Sequence, residues 1–413
     1  LEILSEYYAT PIEKNPIILH PYPTSLRIIN VAKFISKWKI KEDWLYYELV
    51  ADLKFVSGRL EFHLLANHLL ENAFALYIGG LMTNQNEFTR KGKKLLVREL
   101  KKQVLNDGMH YERSPMYHLI ILERLLDALN FAKAGGDDLV STLKSYSVRM
   151  TGLAMNWKDL NRIPMMQDSA YGIALSVTAI LEYSQRLLGE DYPTKSNKLM
   201  DSGYRSLNSG NLSLFANVGS IGPSYQPGHA HADELNFEIF YKGAPIIVDS
   251  GISTYEKNAR RQEERSTKSH NCVTFNSTNS SDVWSGFRVG RRAQVELLND
   301  DVFIKAKHSG YKNCVISRIW YSGNGDLVIV DEVETSIREK KSLSKGRLHF
   351  HPDLTLKLDN NGTLRVGNEL VIEFSSPLRE DLEIRLEEYN YAQGYNHLRK
   401  ARVVIYACYD QMK

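Results

Sequence analysis

The sequence predicts an α+β chain of two domains, helical over residues 1–200 and antiparallel β over residues 201–413. Three observations lead there. Apolar residues recur at three- and four-residue intervals through the first half. The period changes to two after "LMDSGYRSLNSGN" (199–211). At 413 residues the chain is also long for a single core.

The helical stretches are "SLRIINVAKFISKW", "LEFHLLANHLLENAFALYIGGLM", "KKLLVRELKKQVL" and "PMYHLIILERLLDALNFA". Short polar joints separate them, "AGGDD" (134–138) being the clearest, so successive antiparallel helix pairs are expected. In "RKGKKLLVRELKK" (90–102) seven of thirteen residues are Lys or Arg, and Leu95, Leu96, Val97 and Leu100 leave the charges mostly on one face. That face suits solvent, or a polyanion. The strand-like stretches are "LSLFANVG", "ELNFEIFY", "APIIVDSG", "AQVELLN", "DVFIKAKH", "CVISRIWYS" and "DLVIVDEVE", then "LRVGNELVIEFSS" and "ARVVIYACYD". Turns such as "YKGA" and "GNGD" set them at hairpin distances.

Composition excludes several classes. Apolar content of 43% with 24% charged residues is that of an ordinary globular chain. Lys and Arg exceed Asp and Glu only by 52 to 49, which gives no argument for a nucleic-acid partner. No apolar run approaches the length of a membrane span. Cys272, Cys314 and Cys408 are scattered and odd in number, against a disulfide framework or a cysteine-held zinc. The 23 tyrosines suit sugar stacking as well as sheet packing. The chain opens "LEILSEYYAT", as a trimmed N-terminus would, so its first residues say nothing about the compartment.

The residues with chemistry fall into four groups. His231, Asp249 and His270 are 18 and 21 residues apart, about one strand and turn each. Two imidazoles and a carboxylate at strand ends make a zinc set, or three unrelated polar residues. His229 lies two before His231 in "GHAHADELNF", on the same side of an extended chain, and is available for proton transfer or for a structural bond. In "ERSPMYH", Ser114 caps a helix whose first turn holds Pro115 and Tyr117. A phenol there sits near amides that favour an anion, or simply packs. In "LLANHLLENA", Asn67, His68 and Glu71 put three polar groups into an apolar helix, where they pair internally or line a cavity.

Taken together, "GHAHADELNFEIFYKGAPIIVDSG", "RSTKSHNCV", "WSGFRVGRRAQV", "NHLLENA" and "DGMHYERSPMYH" resemble the heparinase II/III-like polysaccharide lyases, in particular those of capsule and exopolysaccharide gene clusters. The resemblance implies an incomplete (α/α) toroid followed by an antiparallel β-sandwich. It also implies β-elimination of an acidic, uronate-containing polysaccharide. It makes Tyr117 and His229 the proton-transfer pair and Asn67 and His68 the carboxylate-neutralising pair. Substrate contact falls on Glu71, Tyr111, Glu112 and Arg265, with Tyr111 competing with Tyr117 as the reactive phenol. His231, Asp249 and His270 are implied ligands of a structural zinc that pins the loop bearing His229. A bacterial, periplasmic or extracellular protein is expected.

Two other functions compete. A glycoside hydrolase would need paired acids, for which Glu71, Glu112 and Asp168 are the suppliers, although Asp168 in "RIPMMQDSAYG" also suits a helix cap. A non-catalytic polysaccharide-binding factor would keep the cleft without turnover. His349 and His351 in "LHFHP" are read as sheet residues rather than ligands.

Overall fold

The computed structural model describes residues 1–10, 19–195, 199–336, 343–376 and 382–409. The chain divides into two compact units, and the division does not follow the chain in one cut. The first comprises Leu1–Tyr111, Leu119–Leu153 and Ala179–Lys195; the second comprises Glu112–His118, Ala154–Thr178 and Ser196–Lys413.

The first unit is built from helices: α1 (Glu2–Ala9), α2 (Pro21–Trp38), α3 (Asp43–Gly58), α4 (Ala66–Met82), α5 (Asn86–Gln103), most of α6 (Pro115–Gly135), α7 (Val140–Ala154) and most of α8 (Val177–Leu188). α4 is buried over nearly its whole length, from Ala66 to Gly80, as a helix surrounded by others must be. Glycines let its neighbours come close. A Cβ on Gly92 of α5 would lie 2.5 Å from the backbone nitrogen of Tyr77, and one on Gly79 would lie 2.7 Å from Ile28 of α2. In α5 Leu95, Leu96 and Leu100 are buried, but Val97 is 45% exposed, because at 100° per residue it turns out among the lysines.

Every strand pairing in the second unit is antiparallel. One sheet is a meander of Tyr204–Ser209, Leu212–Asn217, Phe237–Tyr241 and Ala244–Ile247. A second is the meander Val295–Asn299, Ile304–Tyr311, Cys314–Gly323 and Asp326–Thr335. A third orders Leu382–Gly394, His397–Tyr409, Leu343–His349 and Val273–Phe275, so it crosses chain order. Alternating residues from these sheets fill one core that includes Leu214, Phe237, Ile247, Trp320, Phe350 and Val404. "LRVGNELVIEFSS" becomes two short strands, Thr363–Val366 and Leu370–Glu373, in a small three-stranded sheet. Residues 158–176, between α7 and α8, are largely irregular and run with the β unit rather than with the helices.

Candidate active site

The site is best built from the segment 165–169, which lies against 229–233. Asp168 N–H donates to the His229 carbonyl at 3.1 Å, and His231 N–H donates to Gln167 Oε1 at 2.9 Å. Gln167 also donates through Nε2 to both oxygens of Asp233, at 2.8 and 2.9 Å. It sits at φ 57°, a left-handed conformation that costs a non-glycine residue energy and persists only where surrounding bonds dictate it. The strained residue directly precedes Asp168.

Asp168 is fully buried and shared by three side chains. Arg261 meets it as a two-pronged pair, at 2.5 and 2.7 Å. His229 Nδ1 lies 2.8 Å from Oδ2, and His231 Nε2 lies 2.8 Å from Oδ1. Burial pushes this carboxyl up, but Arg261 and the two imidazoles outweigh it and hold it well below the usual carboxylate range. An ionised carboxylate only accepts, so each histidine gives it an N–H. That fixes both tautomers: the lone pair of His229 is on Nε2 and that of His231 is on Nδ1. For His229, burial pulls the pKa down, but Glu112 and the bond to Asp168 more than offset it, leaving it raised.

Arg261 is presented by a short helix, α9 (Ala259–Glu264), capped by Asn258 Oδ1, which accepts from Arg261 N–H at 3.0 Å. Arg265, next along, is also fully buried. Its donors go to the carbonyls of Ala230, at 3.0 and 2.8 Å, of Trp284 at 3.4 Å and of Arg288 at 3.3 Å. The structure therefore turns Arg265 to backbone, where it braces the stretch between the two histidines. Ala232 N–H closes the brace by donating to the Arg265 carbonyl at 3.0 Å.

Tyr117 enters on the first turn of α6. Its N–H donates to Ser114 Oγ at 3.3 Å, the capping bond the sequence implies, and Ser114 Oγ donates to the Asp168 carbonyl at 2.7 Å. The same serine thus starts the helix and ties it to Asp168. The Tyr117 and His229 rings stack at 4.2 Å with a 34° tilt, and the Tyr117 hydroxyl lies 3.2 Å from that of Tyr255. Tyr255 and Phe287 extend the aromatic wall, 6.0 and 6.3 Å from His229, and Arg261 lies over both. The His229 side chain keeps 13% exposure, whereas that of His231 has none.

Asp249 and His270 lie behind this layer. His270 Nδ1 is 2.7 Å from Asp249 Oδ2, and the His231 and His270 rings are 5.2 Å apart. His231 Nδ1 and His270 Nε2 are buried nitrogens without a hydrogen-bond partner. Each of these rings has its other nitrogen on a carboxylate, the arrangement that orients metal-binding imidazoles. Burial brings the His231 pKa down to about 4, which keeps it neutral as a ligand must be. Asp249 meanwhile accepts from Asn236, Gly251 and His270. No group of three such side chains among the described residues has the spacing of a closed ligand set. The two unpartnered ring nitrogens are donors of the kind zinc takes, but Asp249 is turned to His270 and would have to move to join them.

The other candidates belong to the first unit, apart from Glu112. Asn67 is buried, and its amide makes no hydrogen bond among the described residues. It follows Leu65 and Ala66, at φ 57° and 52°, a strained entry to α4. His68 Nδ1 lies 3.1 Å from Glu61, and its ring is 4.5 Å from that of Tyr22. Glu71 is fully buried and accepts from Arg124 Nε at 2.7 Å. Tyr111 is buried edge-on to His110, their rings 5.1 Å apart. Glu112, in the second unit, is buried within electrostatic reach of His229. Sequence reasoning missed Arg261 and Tyr255, and it left Asp168 between a cleft residue and a helix cap.

Comparison with known proteins places this geometry. A family model described as heparinase II/III-like, C-terminal, matches residues 191–410, and one described as heparinase II/III N-terminus matches residues 24–184. The chain belongs to the heparinase II/III-like family. A heparin-sulfate lyase of Bacteroides thetaiotaomicron is 24% identical over 366 residues, covering 76% of this chain and 50% of that protein. One from Pedobacter heparinus is 24% identical over 213 residues, covering 46% and 32% respectively. The chain thus spans half or less of the length of these curated relatives. The crystal structure of a mutant heparan sulfate lyase from Pedobacter heparinus aligns with a TM-score of 0.72 at 17% identity, covering 98% of this chain and 70% of that one. A heparinase III crystal structure aligns at 0.68 and 14%, covering 95% and 67%.

Proposed function

We propose that the chain carries the working part of a polysaccharide lyase that cleaves an acidic, uronate-containing polysaccharide by β-elimination. The observation that carries this reading is the stacking of Tyr117 on His229, with the imidazole orientation dictated by Asp168 and Arg261. A phenol and an imidazole in one layer, beside an aromatic wall that suits a sugar face, are what proton transfer at a sugar ring requires.

A base takes the proton at C5 of the uronate, whose acidity is poor because the adjacent carboxylate resists further negative charge. The electron pair left behind forms the C4–C5 double bond as the C4–oxygen bond breaks, and an acid protonates the leaving oxygen. Tyr117 serves both steps when proton and leaving group share a face of the ring; His229, through Nε2, supplies the base when they do not. The resemblance gives the carboxylate-neutralising role to Asn67 and His68, where fixed donors favour the charge that develops. A zinc ion held by His231, Asp249 and His270 would tie down the segment bearing His229 and take no part in the elimination.

The same reading extends to an incomplete (α/α) toroid followed by a β-sandwich. It also takes in a capsule or exopolysaccharide substrate and a bacterial periplasmic or extracellular setting, in line with the bacterial sources of the relatives. Among the described residues no helix is long and apolar enough to cross a membrane. Hydrolysis fits less well, because Asp168 is held ionised by Arg261 and so offers no ready proton. The test is incubation with a panel of acidic polysaccharides while following ultraviolet absorbance. The unsaturated uronide produced by elimination absorbs; new reducing ends without absorbance would mean a hydrolase instead.

A further inference from the structure

A second polar pocket lies in the β unit, outside the Tyr117–His229 layer. It has a volume of about 430 Å³, and its lining includes Arg162, Tyr171, His351, Asp353, Tyr391 and Arg399. That size is within the range of small-ligand sites, but the lining is polar and cationic rather than apolar. Two guanidiniums against one carboxylate leave a formal charge of +2 − 1 = +1 with His351 neutral.

The two arginines are not equivalent. Arg399 donates to Asp353 Oδ1 at 2.6 Å, and Asp353 also lies 3.5 Å from His351 Nδ1. Arg162 makes no ion pair among the described residues, and its Nε is buried without a hydrogen-bond partner. The guanidinium hydrogen-bonds Tyr171 but has no paired carboxylate among the described residues, so it favours an anion in the pocket. Beside it lies the ring of Tyr171, 5.9 Å from the Arg162 guanidinium, whereas Tyr391, which also lines the pocket, is nearly fully buried.

We propose that this pocket is a second saccharide subsite, taking an anionic sugar unit whose sulfate or carboxylate pairs with Arg162 and Arg399. The inference rests on the lyase reading for the identity of the ligand. It gains from continuity with the candidate active site. Tyr391 lies four residues before Tyr395, whose ring packs 5.2 Å from that of Tyr255, and four residues span at most about 14 Å. One stretch of chain thus lines both places.

The experiment is equilibrium titration of the full chain carrying Tyr117→Phe, so that the ligand stays intact. The probes are a heparan-sulfate octasaccharide, its desulfated form and a neutral maltooctaose. Losing one charge-assisted contact should weaken the anionic probes about tenfold in Arg162→Gln, with Arg162→Lys recovering part of it. Arg399→Gln should act in the same direction, and maltooctaose should be unaffected. Loss with the sulfated probe alone assigns a sulfate, and loss with both assigns the carboxylate. Unchanged affinity in both arginine variants with melting temperature retained, equal weakening for maltooctaose, or no binding of either anionic probe overturns the proposal. If the anionic probes bind through Arg162 while no polysaccharide yields an ultraviolet-absorbing product, the subsite stands and the lyase reading fails. If product forms but the arginine variants bind as before, only the subsite fails.

Discussion

Asp168→Asn separates what holds the site from what does the chemistry. The carboxylate neutralises Arg261 and orients two histidines at 2.5–2.8 Å. With charge centres about 4 Å apart and an effective dielectric near 20, the pair attracts by about 4 kcal/mol. Removing one partner leaves a buried guanidinium uncompensated, so a loss of roughly 3–5 kcal/mol is expected, enough to lower the melting temperature by on the order of 10 °C. Asparagine also has one acceptor where the carboxylate had two. His229 and His231 can no longer both keep their tautomers, and turnover should fall by about two to four orders of magnitude. The double variant Asp168→Asn/Arg261→Gln carries no unpaired charge. It should regain most of the lost stability and none of the activity. Melting temperature and the rate of ultraviolet-absorbing product, read on all the variants, decide the matter. Activity of Asp168→Asn within threefold of the parent, or activity recovering with stability in the double variant, would refute the positioning role.

Tyr117→Phe removes only a hydroxyl and should cost a hundredfold or more in turnover with little change in fold. His229→Ala should resemble it, while His231→Ala should chiefly lower bound zinc and melting temperature. Equal metal loss in both histidine variants, measured by elemental analysis, would mean the two roles are wrongly divided. His308 is buried, and burial pulls its pKa down to about 4. Its folded pKa lies below the unfolded value, so its contribution is complete above about pH 6.5 and is lost as pH falls toward 4. The total is on the order of 3 kcal/mol. Urea midpoints at pH 7 and pH 4.5 should differ less in His308→Gln than in the parent; identical differences would discount it. Gly92→Ala drives a methyl to 2.5 Å from Tyr77 N and should destabilise the α4–α5 pair by about 1–3 kcal/mol, read by thermal melting.

The two periods of the apolar pattern were enough to assign helices to the first half and antiparallel strands to the second, because local geometry alone sets repeats of 3.6 and 2. Ser114 was legible as a cap for the same reason, since its partner Tyr117 is three residues away. What tertiary structure decided lies across long separations. Asp168 meets His229 and Arg261 across 61 and 93 residues, and nothing in "MMQDSAYG" marks it as the carboxylate that fixes two tautomers. Arg261 and Arg265 sit four apart in one sequence segment, yet one faces Asp168 and the other the Ala230 carbonyl. The segments 112–118 and 154–178 join the β unit although they lie among helical sequence. Periodicity reports which side of an element is apolar; it carries no information on which distant charge a buried charge will meet. That choice is made only when the chain closes and each buried polar group must find a partner.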